Sequence, residues 1–217
     1  MTSRRFMAAA IVAACLSGTA HAEAVLTTSY ATWSAAAGYY LTTNSDPNYV
    51  ANTLFPATTS SIATTAGGTL TTSPGGDEIL ETVADWGPWT SANGTPYHGI
   101  VYDTQGQSET ITLPAMFHAF SLEIQPDGSA PPPGFADVIT VTLSDGQTTT
   151  IPISVTNAGQ TAFVGYYGGP ETSMTISVAN ASDFAFGDFR IVPEPASLAL
   201  FATGLSVLSL MRRKARS

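Results

Sequence analysis

The amino-acid sequence predicts a mainly β protein, an antiparallel β-sandwich preceded by one short helix. Short runs rich in Val, Ile, Phe and Thr recur between turns that contain Gly, Pro or Asp-Gly, which is the pattern of antiparallel strands. Within many of these runs threonine alternates with a large apolar residue, as expected when one face of each strand packs in a core. No amphipathic helix separates the runs, which argues against a parallel sheet built from βαβ units.

The first 22 residues have the features of a secretory signal peptide, which we predict to be a helix ahead of the folded domain. Two arginines and a short apolar run lead to an Ala-x-Ala cleavage site formed by Ala20 and Ala22, so the mature chain is expected to begin at Glu23. The alternative is a lipoprotein signal in which Cys15, the only cysteine, is lipidated. With cleavage after Ala22, the exported domain carries neither a disulfide nor a thiolate metal site.

A short helix is predicted soon after the cleavage site. Tyr30, Trp33 and Ala37 recur at spacings of three and four residues, which is the spacing of one helix face. The Thr-Thr-Ser segment 27–29 supplies hydroxyls that can cap the first turn, and Gly38 is a stop signal. We therefore expect a helix over about two turns.

The strand predictions become stronger along the chain. Residues 39–73 are rich in small polar residues and predict loop with one or two weak strands near 61–72. A turn at 144–146 predicts a hairpin, and Pro152 places its second strand at a sheet edge. His118 shares the parity of the apolar residues of its strand, which predicts that it faces the core. The predicted strands are 79–84, 100–102, 109–113, 118–124, 138–143, 149–155, 161–167, 174–178 and 184–192.

The C-terminus combines a rigid tripeptide, an apolar run and a cationic tail. Pro193, Glu194 and Pro195 favour an extended backbone, because each proline restricts its own φ and the residue before it. The run 196–211 has sixteen residues without a charge, and as a helix it spans about 24 Å, slightly less than a bilayer core of about 30 Å. We predict a transmembrane helix with its basic end in the cytoplasm. The alternative, a buried helix of a soluble domain, normally carries a polar stripe that this run lacks. The basic tail consists of Arg212, Arg213, Lys214 and Arg216.

The order and terminal position of these three parts resemble the PEP-CTERM sorting signal of Gram-negative bacteria that produce exopolysaccharide. The resemblance implies processing by an exosortase near Pro-Glu-Pro, transient insertion in the inner membrane, and delivery to the cell surface or the extracellular space. Residues 117–190 also resemble a β-sandwich module common in PEP-CTERM proteins, which implies a jelly-roll-like fold and no known activity. The segments that carry this second resemblance are 120–124, 141–146, 163–166 and 184–191.

The predicted segments differ in charge. The signal peptide, 1–22, and the sorting signal, 193–217, contain every Lys and Arg except Arg190. The predicted sandwich domain, 23–192, contains fifteen acids and therefore has a net charge of −14. A surface with so few cations cannot neutralise a phosphate backbone, so nucleic acid is excluded as an expected partner.

No catalytic constellation is recognisable in the exported domain. It has two histidines that could act as a general base, His98 and His118, but it contains no Gly-x-Ser-x-Gly motif that would supply a serine nucleophile. Four acids are candidates for glycoside cleavage by residue type alone, because no spacing fixes two carboxyl groups opposite each other. We expect a protein that is not an enzyme, with a secreted hydrolase of polysaccharide or ester as the alternative. The four acids are Asp77, Glu78, Glu81 and Asp85.

Aromatic residues provide the best ligand hypothesis. Trp86, Trp89 and Tyr97 surround a predicted tight turn at Asn93-Gly94, in a segment rich in Gly and Pro. Aromatic faces in such a loop can stack on sugar rings. The competing interpretation is that these rings fill the core beside weak strands.

The domain is expected to hold no cofactor. Zinc requires clusters of Cys or His, which are absent from the sequence. Five aspartates near strand ends could supply oxygen ligands to Ca²⁺, although Asp-Gly pairs also form ordinary turns. We therefore predict an exported surface or matrix protein that is structural or binds exopolysaccharide, with a calcium-stabilised adhesion module as a further alternative. The aspartates are Asp127, Asp137, Asp145, Asp183 and Asp188.

Overall fold

The computed structural model describes residues 23–38, 41–42, 57–59, 61–64, 68–73, 78–82, 86, 89–97, 99–114, 117–127, 135–155 and 159–193. Within these residues the chain forms one helix and fourteen strands. The helix is α1 (Tyr30–Ala37). The strands are β1 (Val25–Thr27), β2 (Leu41–Thr42), β3 (Ala57–Thr59), β4 (Ser61–Ala63), β5 (Thr69–Ser73), β6 (Glu78–Thr82), β7 (Ile100–Asp103), β8 (Ser108–Thr112), β9 (Phe117–Pro126), β10 (Phe135–Leu143), β11 (Thr148–Val155), β12 (Ala162–Tyr167), β13 (Ser173–Val178) and β14 (Phe184–Pro193).

The strands pair into two antiparallel sheets. Sheet A has eight strands in the order β1-β12-β9-β14-β7-β6-β3, with β2 pairing beside this path with β14. Sheet B has six strands in the order β11-β10-β13-β8-β5-β4. Neighbours within a sheet are often distant along the chain, because the chain crosses repeatedly from one sheet to the other. The predicted antiparallel β-sandwich with one short N-terminal helix is confirmed.

The main core lies between the two sheets. Sheet A contributes Phe120, Leu122 and Ile124 of β9, and sheet B contributes Val141 of β10 and Ile176 of β13, all fully buried. Each such side chain contributes about 1.5–3 kcal/mol when it leaves water. Burial alternates residue by residue along β5 and β13, which is the period expected when one face of a strand packs inward.

Helix α1 begins and ends where the capping signals predict. Ser29 has an extended backbone, and its hydroxyl accepts a hydrogen bond from the Thr32 N–H at 3.3 Å. Gly38 has a φ of 72°, and its N–H donates to the Ser34 carbonyl at 3.2 Å. The predicted helix and both of its end signals are confirmed.

The helix docks on the outer face of sheet A through Trp33, which is fully buried. The indole N–H of Trp33 donates to the Tyr166 carbonyl at 2.9 Å, and its ring meets Phe163 edge-on at 6.1 Å between centroids. Gly165 makes this approach possible: a Cβ at that position would lie 2.7 Å from the Trp33 ring and 2.7 Å from Cβ of Ser121. The position of the helix on the sheet therefore depends on the packing of the Trp33 indole against Gly165.

Strand β14 changes its facing at a bulge. Its register with β9 shifts by one residue between Gly187 and Arg190, so two residues of β14 stand opposite one of β9. Asp188, inside the bulge, has a φ of 51°. Without the bulge, strict alternation would point Arg190 into the core; with it, Arg190 lies on the outer face of sheet A. The core-facing residues of β14 are Phe184 and Phe186 before the bulge, and Phe189 and Ile191 after it.

The strand predictions agree with the structure in the second half of the chain and less well elsewhere. The β10–β11 hairpin is present, and β11 with its Pro152 lies at the edge of sheet B, as predicted. Strands β1, β2 and β3 were missed, because two or three residues are too few to show an alternation. At the start of β9, Phe117 is the fully buried core residue and His118 is only half-buried. Half-burial is what a histidine at the rim of the core would show, and the β9–β14 register shifts again at this end, between Val192 and Pro193.

Candidate functional site

The predicted turn at Asn93-Gly94 is the tip of a small hairpin, residues 89–97, on the outer face of sheet A. Thr90 and Pro96 form an isolated β-bridge, and the Tyr97 N–H donates to the Trp89 carbonyl at 3.0 Å. Gly94 has a φ of 83°, and its N–H donates to the Ser91 carbonyl at 2.7 Å. The predicted tight turn is confirmed.

The aromatic residues of this hairpin pack inward. Trp89 and Tyr97 are 1% and 5% exposed, and their rings stack at 5.9 Å between centroids with an interplanar angle of 30°. Both pack with Val101 and Ala185 on the outer face of sheet A. A sugar needs an open ring face, and neither ring offers one, so the stacking role predicted for Trp89 and Tyr97 is corrected to a packing role.

Trp86 differs from the other two predicted stacking residues. Its side chain is half-buried and packs against the cluster formed by Trp89 and Tyr97. Its carbonyl accepts a hydrogen bond from the Gln125 amide at 2.9 Å, which fixes the backbone at this point. Of the three predicted stacking residues, Trp86 alone retains a partly exposed ring.

A buried ion cluster lies beneath the hairpin, and we call it the Arg190 cluster: Ser91, Glu123, Asp188 and Arg190. All four are 5% exposed or less. The Arg190 guanidinium lies 2.5 Å from an Asp188 carboxylate oxygen and 3.4 Å from a Glu123 carboxylate oxygen. The Ser91 hydroxyl donates to the same Asp188 oxygen that Arg190 contacts. The cluster therefore ties the hairpin to the two central strands of sheet A, β9 and β14.

Helix α1 and strand β12 complete the surroundings of Arg190. The guanidinium carbon lies 5.2 Å from the Tyr30 ring centroid and 5.8 Å from that of Phe163, within the range of a cation–π contact. The Nε of Arg190 is buried without a hydrogen-bond partner among the described residues. One cation is thus held by two carboxylates and two aromatic rings.

The Glu123 carboxylate contacts three separate parts of the chain: the hairpin 89–97, the residue before β12, and Arg190 of β14. One of its carboxylate oxygens accepts the Ala92 N–H at 2.8 Å, and the other accepts the Thr161 hydroxyl at 3.1 Å. Burial raises the pKa of Glu123 above its ordinary value, and the neighbouring Asp188 raises it further. The Ala92 N–H and the Arg190 charge lower that pKa but do not cancel the effect of burial. Protonation of Glu123 is therefore coupled to the anchoring of the hairpin.

Sequence reasoning missed the Arg190 cluster, although one signal for it was available. Arg190 is the only cation between Glu23 and Pro193, and a lone cation in the last strand of an acidic domain needs a carboxylate partner if it is buried. The partners themselves could not be identified from the sequence. Ser91 and Glu123 are 97 and 67 residues away from the residues they contact, Asp188 and Arg190.

The predicted strand-end aspartates have structural partners. Asp137 accepts hydrogen bonds from three successive backbone N–H groups, at 2.9, 3.0 and 2.9 Å, and so holds the loop between β13 and β14. Asp145 accepts the Gln147 N–H at 2.8 Å in the β10–β11 turn. Burial, and then the charge of nearby Asp127, raise the pKa of Asp183. Among the described residues, no three His, Cys, Asp or Glu side chains converge as metal ligands.

Several predicted site residues lie outside the described part of the chain. Glu23 is the first described residue and is exposed, and Pro193 is the last and is half-buried at the end of β14. Glu78 and Glu81 belong to β6, but the structure describes only their backbone. The predicted residues outside the description are Ala20, Ala22, Asp77, Asp85, His98, Glu194, Pro195, Arg212, Arg213, Lys214 and Arg216.

The predicted transmembrane helix, 196–211, also falls outside the described residues. Within the residues that are described, the one helix has eight residues, and no helix has the length and apolar character needed to cross a membrane.

Comparison with known proteins identifies the C-terminal region. Residues 192–214 match the PEP-CTERM protein-sorting motif. None of the curated proteins that were compared matches the chain. The chain thus carries the sorting motif of exported proteins that an exosortase processes, as its sequence predicts.

Three solved structures align with part of this chain at low similarity. The CBM22-1–GH10 modules of Clostridium thermocellum endo-1,4-β-D-xylanase 10B, complexed with xylohexaose, align over 58% of this chain and 26% of that chain, at 15% identity and a TM-score of 0.33. The C-terminal family 22 carbohydrate-binding module of the C. thermocellum enzyme Xyn10B aligns over 57% and 85%, at 12% identity and a TM-score of 0.31. The CBM22-1 xylan-binding domain of Paenibacillus barcinonensis Xyn10C aligns over 58% and 87%, at 14% identity and a TM-score of 0.31. Likeness at this level does not assign a ligand to the chain.

Proposed function

We propose that this chain is delivered by an exosortase to the cell surface or the extracellular matrix, where its sandwich acts as a non-catalytic structural or polysaccharide-binding component. The proposal has two parts, sorting and action outside the cell, and each has its own support and its own test.

The continuity of β14 with the sorting motif carries the proposal. This strand lies inside sheet A, between β9 and β7. Its last residues, Val192 and Pro193, pair with Ala119 and Phe117 of β9, and they are also the first residues of the matched segment 192–214. Processing beyond Pro193 would therefore remove the apolar tail without removing any of the described strands. A complete sandwich would be left on the outer side of the membrane.

The chemistry of the described side chains supports a non-catalytic role. A general acid or base has to reach a substrate atom. Glu123 and Asp188 are about 2% exposed or less and face Arg190 rather than solvent. Asp137 is likewise committed to the backbone N–H groups of a loop. These acids stabilise loops and strands, which is what an extracellular domain without disulfides requires.

The sorting part is tested in a bacterium that possesses an exosortase. Replacing Glu194 and Pro195 together by alanine should stop processing, because both lie in the tripeptide that such an enzyme would grip. The expected result is an unprocessed chain retained with the inner membrane, measured by cell fractionation and mass spectrometry of the chain ends. Ser182→Ala, at an exposed loop position, is the matched control and should be processed normally. Normal processing of the double variant would overturn this part.

The second part is tested with the secreted protein. Affinity electrophoresis against the polysaccharide of the host matrix should show retardation if the sandwich binds it. Incubation with the same polysaccharide should release no new reducing ends, whereas a secreted hydrolase would release them in proportion to time. Absence of retardation would leave the structural role, and time-dependent release of reducing ends would establish the hydrolase.

A further inference from the structure

The solvent side of sheet B is covered with hydroxyl groups. Along β8, Ser108, Thr110 and Thr112 point outward while Glu109 and Ile111 are buried between them. In β5 and β13 the outward residues are likewise all Ser or Thr, and the inward residues are apolar apart from Thr72. We call this surface the hydroxyl face: the outward positions of β11, β10, β13, β8, β5 and β4.

The registers of these strands align the hydroxyls in rows across the sheet. One row crosses five strands, and every position in it carries a hydroxyl: Thr148, Thr142, Thr175, Thr110 and Ser73. Within it, the Thr142 and Thr148 hydroxyls lie 3.0 Å apart, and those of Thr110 and Thr175 lie 2.9 Å apart. Neighbouring strands are about 4.8 Å apart, and outward residues recur about every 6.7 Å along a strand. The hydroxyls are therefore regularly spaced and partly fixed in orientation.

The hydroxyl face carries no charge among the described residues of its six strands. The two acids in these strands, Glu109 and Asp137, are both turned inward and are 2% exposed. The net charge of −14 of the predicted domain is therefore carried outside the outward positions of these strands. A charged partner would gain no counter-charge on this face, and an anionic one would also be repelled by the domain as a whole. The face therefore suits an uncharged partner.

One apolar spot interrupts the hydroxyls at the β10–β11 end of the face. Val138 is 39% exposed and pairs directly with Pro152 of the neighbouring strand, which is also exposed. The next outward pair along these strands is Thr140 with Thr150. Directly opposite side chains lie about 5 Å apart, so the valine and the proline form one continuous apolar surface. This surface is flanked by hydrogen-bonding groups on one side.

We propose that the β10–β11 part of the hydroxyl face binds an uncharged polysaccharide chain. The Val138–Pro152 pair contacts the apolar C–H face of a sugar ring. The hydroxyls of Thr140 and Thr150, and of the next pair, exchange hydrogen bonds with sugar hydroxyls. This assignment rests on the polysaccharide-binding form of the proposed function, and it names the surface and the charge class of the ligand.

The twist of the sheet decides between a single chain and a flat crystalline surface. Adjacent strands rotate by about 20–25°, so six strands accumulate roughly 100° or more. A flat surface could touch only two or three strands at a time. A single polymer chain lying along β10 and β11 meets outward pairs from Val138–Pro152 to Thr142–Thr148 in succession. A second copy of this chain fits less well, because the face has only one large exposed hydrophobic residue among those described, Val138.

The test uses the secreted protein and three probes: a soluble neutral β-1,3-glucan, a neutral galactomannan and the anionic polymer alginate. Affinity electrophoresis should show binding to at least one neutral probe and none to alginate. Thr140→Asp should weaken that binding about tenfold or more, since it places a charge in the contact. Thr69→Asp makes the same charge change at an exposed position of β5, three strands from β10, and should change binding less than about twofold.

A second variant keeps the proposal testable if Thr140→Asp fails to fold. Val138→Thr and Pro152→Thr together retain strand-forming residues and remove only the apolar spot, and they should also weaken binding about tenfold. Equal binding by wild type and both variants would overturn the assignment of the face while leaving the proposed function intact. Three other results would also overturn the assignment. The wild type could bind none of the neutral probes, it could bind alginate instead, or it could form a dimer that Thr140→Asp dissociates without any glycan binding. The first of these results would count against the proposed polysaccharide binding as well.

Discussion

Arg190 organises the outer face of sheet A although it is a single residue. Its guanidinium is 1% exposed and contacts Asp188 and Glu123, which in turn hold the hairpin 89–97 through Ser91 and Ala92. A buried cation with two carboxylates costs desolvation energy in every partner, so it is not a simple source of stability. We expect its role to be one of specificity, in which the ion cluster selects the loop that covers β9 and β14.

Removing the cation tests this interpretation. Arg190→Met keeps a long apolar side chain but leaves Asp188 and Glu123 buried without a counter-charge. The free energy of unfolding should fall by about 3–5 kcal/mol, measured by urea denaturation. The double variant Arg190→Met, Glu123→Gln removes one of the two stranded charges. It should lose less than the sum of the two single losses, because the residues interact directly. Additive losses would contradict the cluster.

The pH dependence of stability tests Glu123 by itself. Its pKa is raised in the folded state, so the folded protein binds a proton more readily than the unfolded chain. The contribution of Glu123 to stability is therefore complete below its unfolded pKa and is lost as the pH rises through its folded pKa. Glu123→Gln cannot ionise, so its stability relative to wild type should improve as the pH increases from about 4 to about 7. Urea unfolding at several pH values measures this difference, and a constant or opposite difference would contradict it.

Among the secondary-structure elements, helix α1 can approach β12 closely because residue 165 is a glycine and has no side chain. Gly165 accommodates the Trp33 indole, whose N–H donates to the neighbouring Tyr166 carbonyl. The helix itself has only eight residues, and an isolated helix of that length is unstable in water. Its stability must therefore come from the packing of Trp33, Tyr30 and Ala37 on the sheet.

Gly165→Ala tests the docking of the helix. The added methyl group would lie 2.7 Å from the Trp33 ring and from the Ser121 Cβ, so helix or strand must shift. We expect a loss of about 1–3 kcal/mol in the free energy of unfolding and a change in the near-ultraviolet circular dichroism of the indole. Gly106→Ala is the control, because its nearest atom would be 3.9 Å away, and it should change stability by less than about 0.5 kcal/mol. Equal effects of the two variants would contradict a tight contact at Gly165.

In the molecule as a whole, the first and last described strands, β1 and β14, lie close in sequence to the two predicted processing sites. Ala24 is 5% exposed, and β1 follows it directly as an edge strand of sheet A. At the other end, β14 is internal to the same sheet and stops at Pro193. Neither predicted processing site is separated from the sandwich by a linker among the described residues.

Truncation tests whether the sandwich is complete at these limits. A chain that ends after Pro193 should export and unfold cooperatively, since every strand pair that the structure describes in sheet A is retained. A chain that ends after Asp188 should not fold, because it lacks Arg190 and the part of β14 that pairs with β9 beyond the bulge and with β2. Cooperative thermal unfolding is the measurement. Failure of the longer chain to fold would show that the apolar tail belongs to the packed interior.

Metal removal tests the calcium alternative. A calcium site occupied at a hundred times its dissociation constant would add about 2.7 kcal/mol. For a domain of this size that is a shift in the melting temperature of roughly 5–10 °C. Because the strand-end aspartates Asp137 and Asp145 already accept backbone hydrogen bonds, we expect EDTA to leave the melting temperature unchanged. A clear decrease in EDTA, restored by Ca²⁺, would contradict this expectation.

The local features of this protein were predictable from its amino-acid sequence. Each of these features depends on residues that are close together in the sequence. They are the caps of α1 at Ser29 and Gly38, the turn at Gly94, the hairpin with Pro152 at a sheet edge, and the sorting motif. Hydrophobic alternation also determined the sandwich class, because a strand with one apolar face needs a second sheet to cover it.

Contacts between residues that are distant along the chain could be identified only in the folded protein. The bulge at Asp188 reverses the facing of β14 and turns Arg190 outward, towards Glu123 and the hairpin. Trp89 and Tyr97 likewise pack against Val101 and Ala185 on the outer face of sheet A, a contact between segments that are distant in sequence. The hydroxyl face likewise emerges only when registers align strands that lie far apart in sequence. Such contacts depend on sheet order and register, and these are set by the packing of the whole molecule rather than by any segment of it.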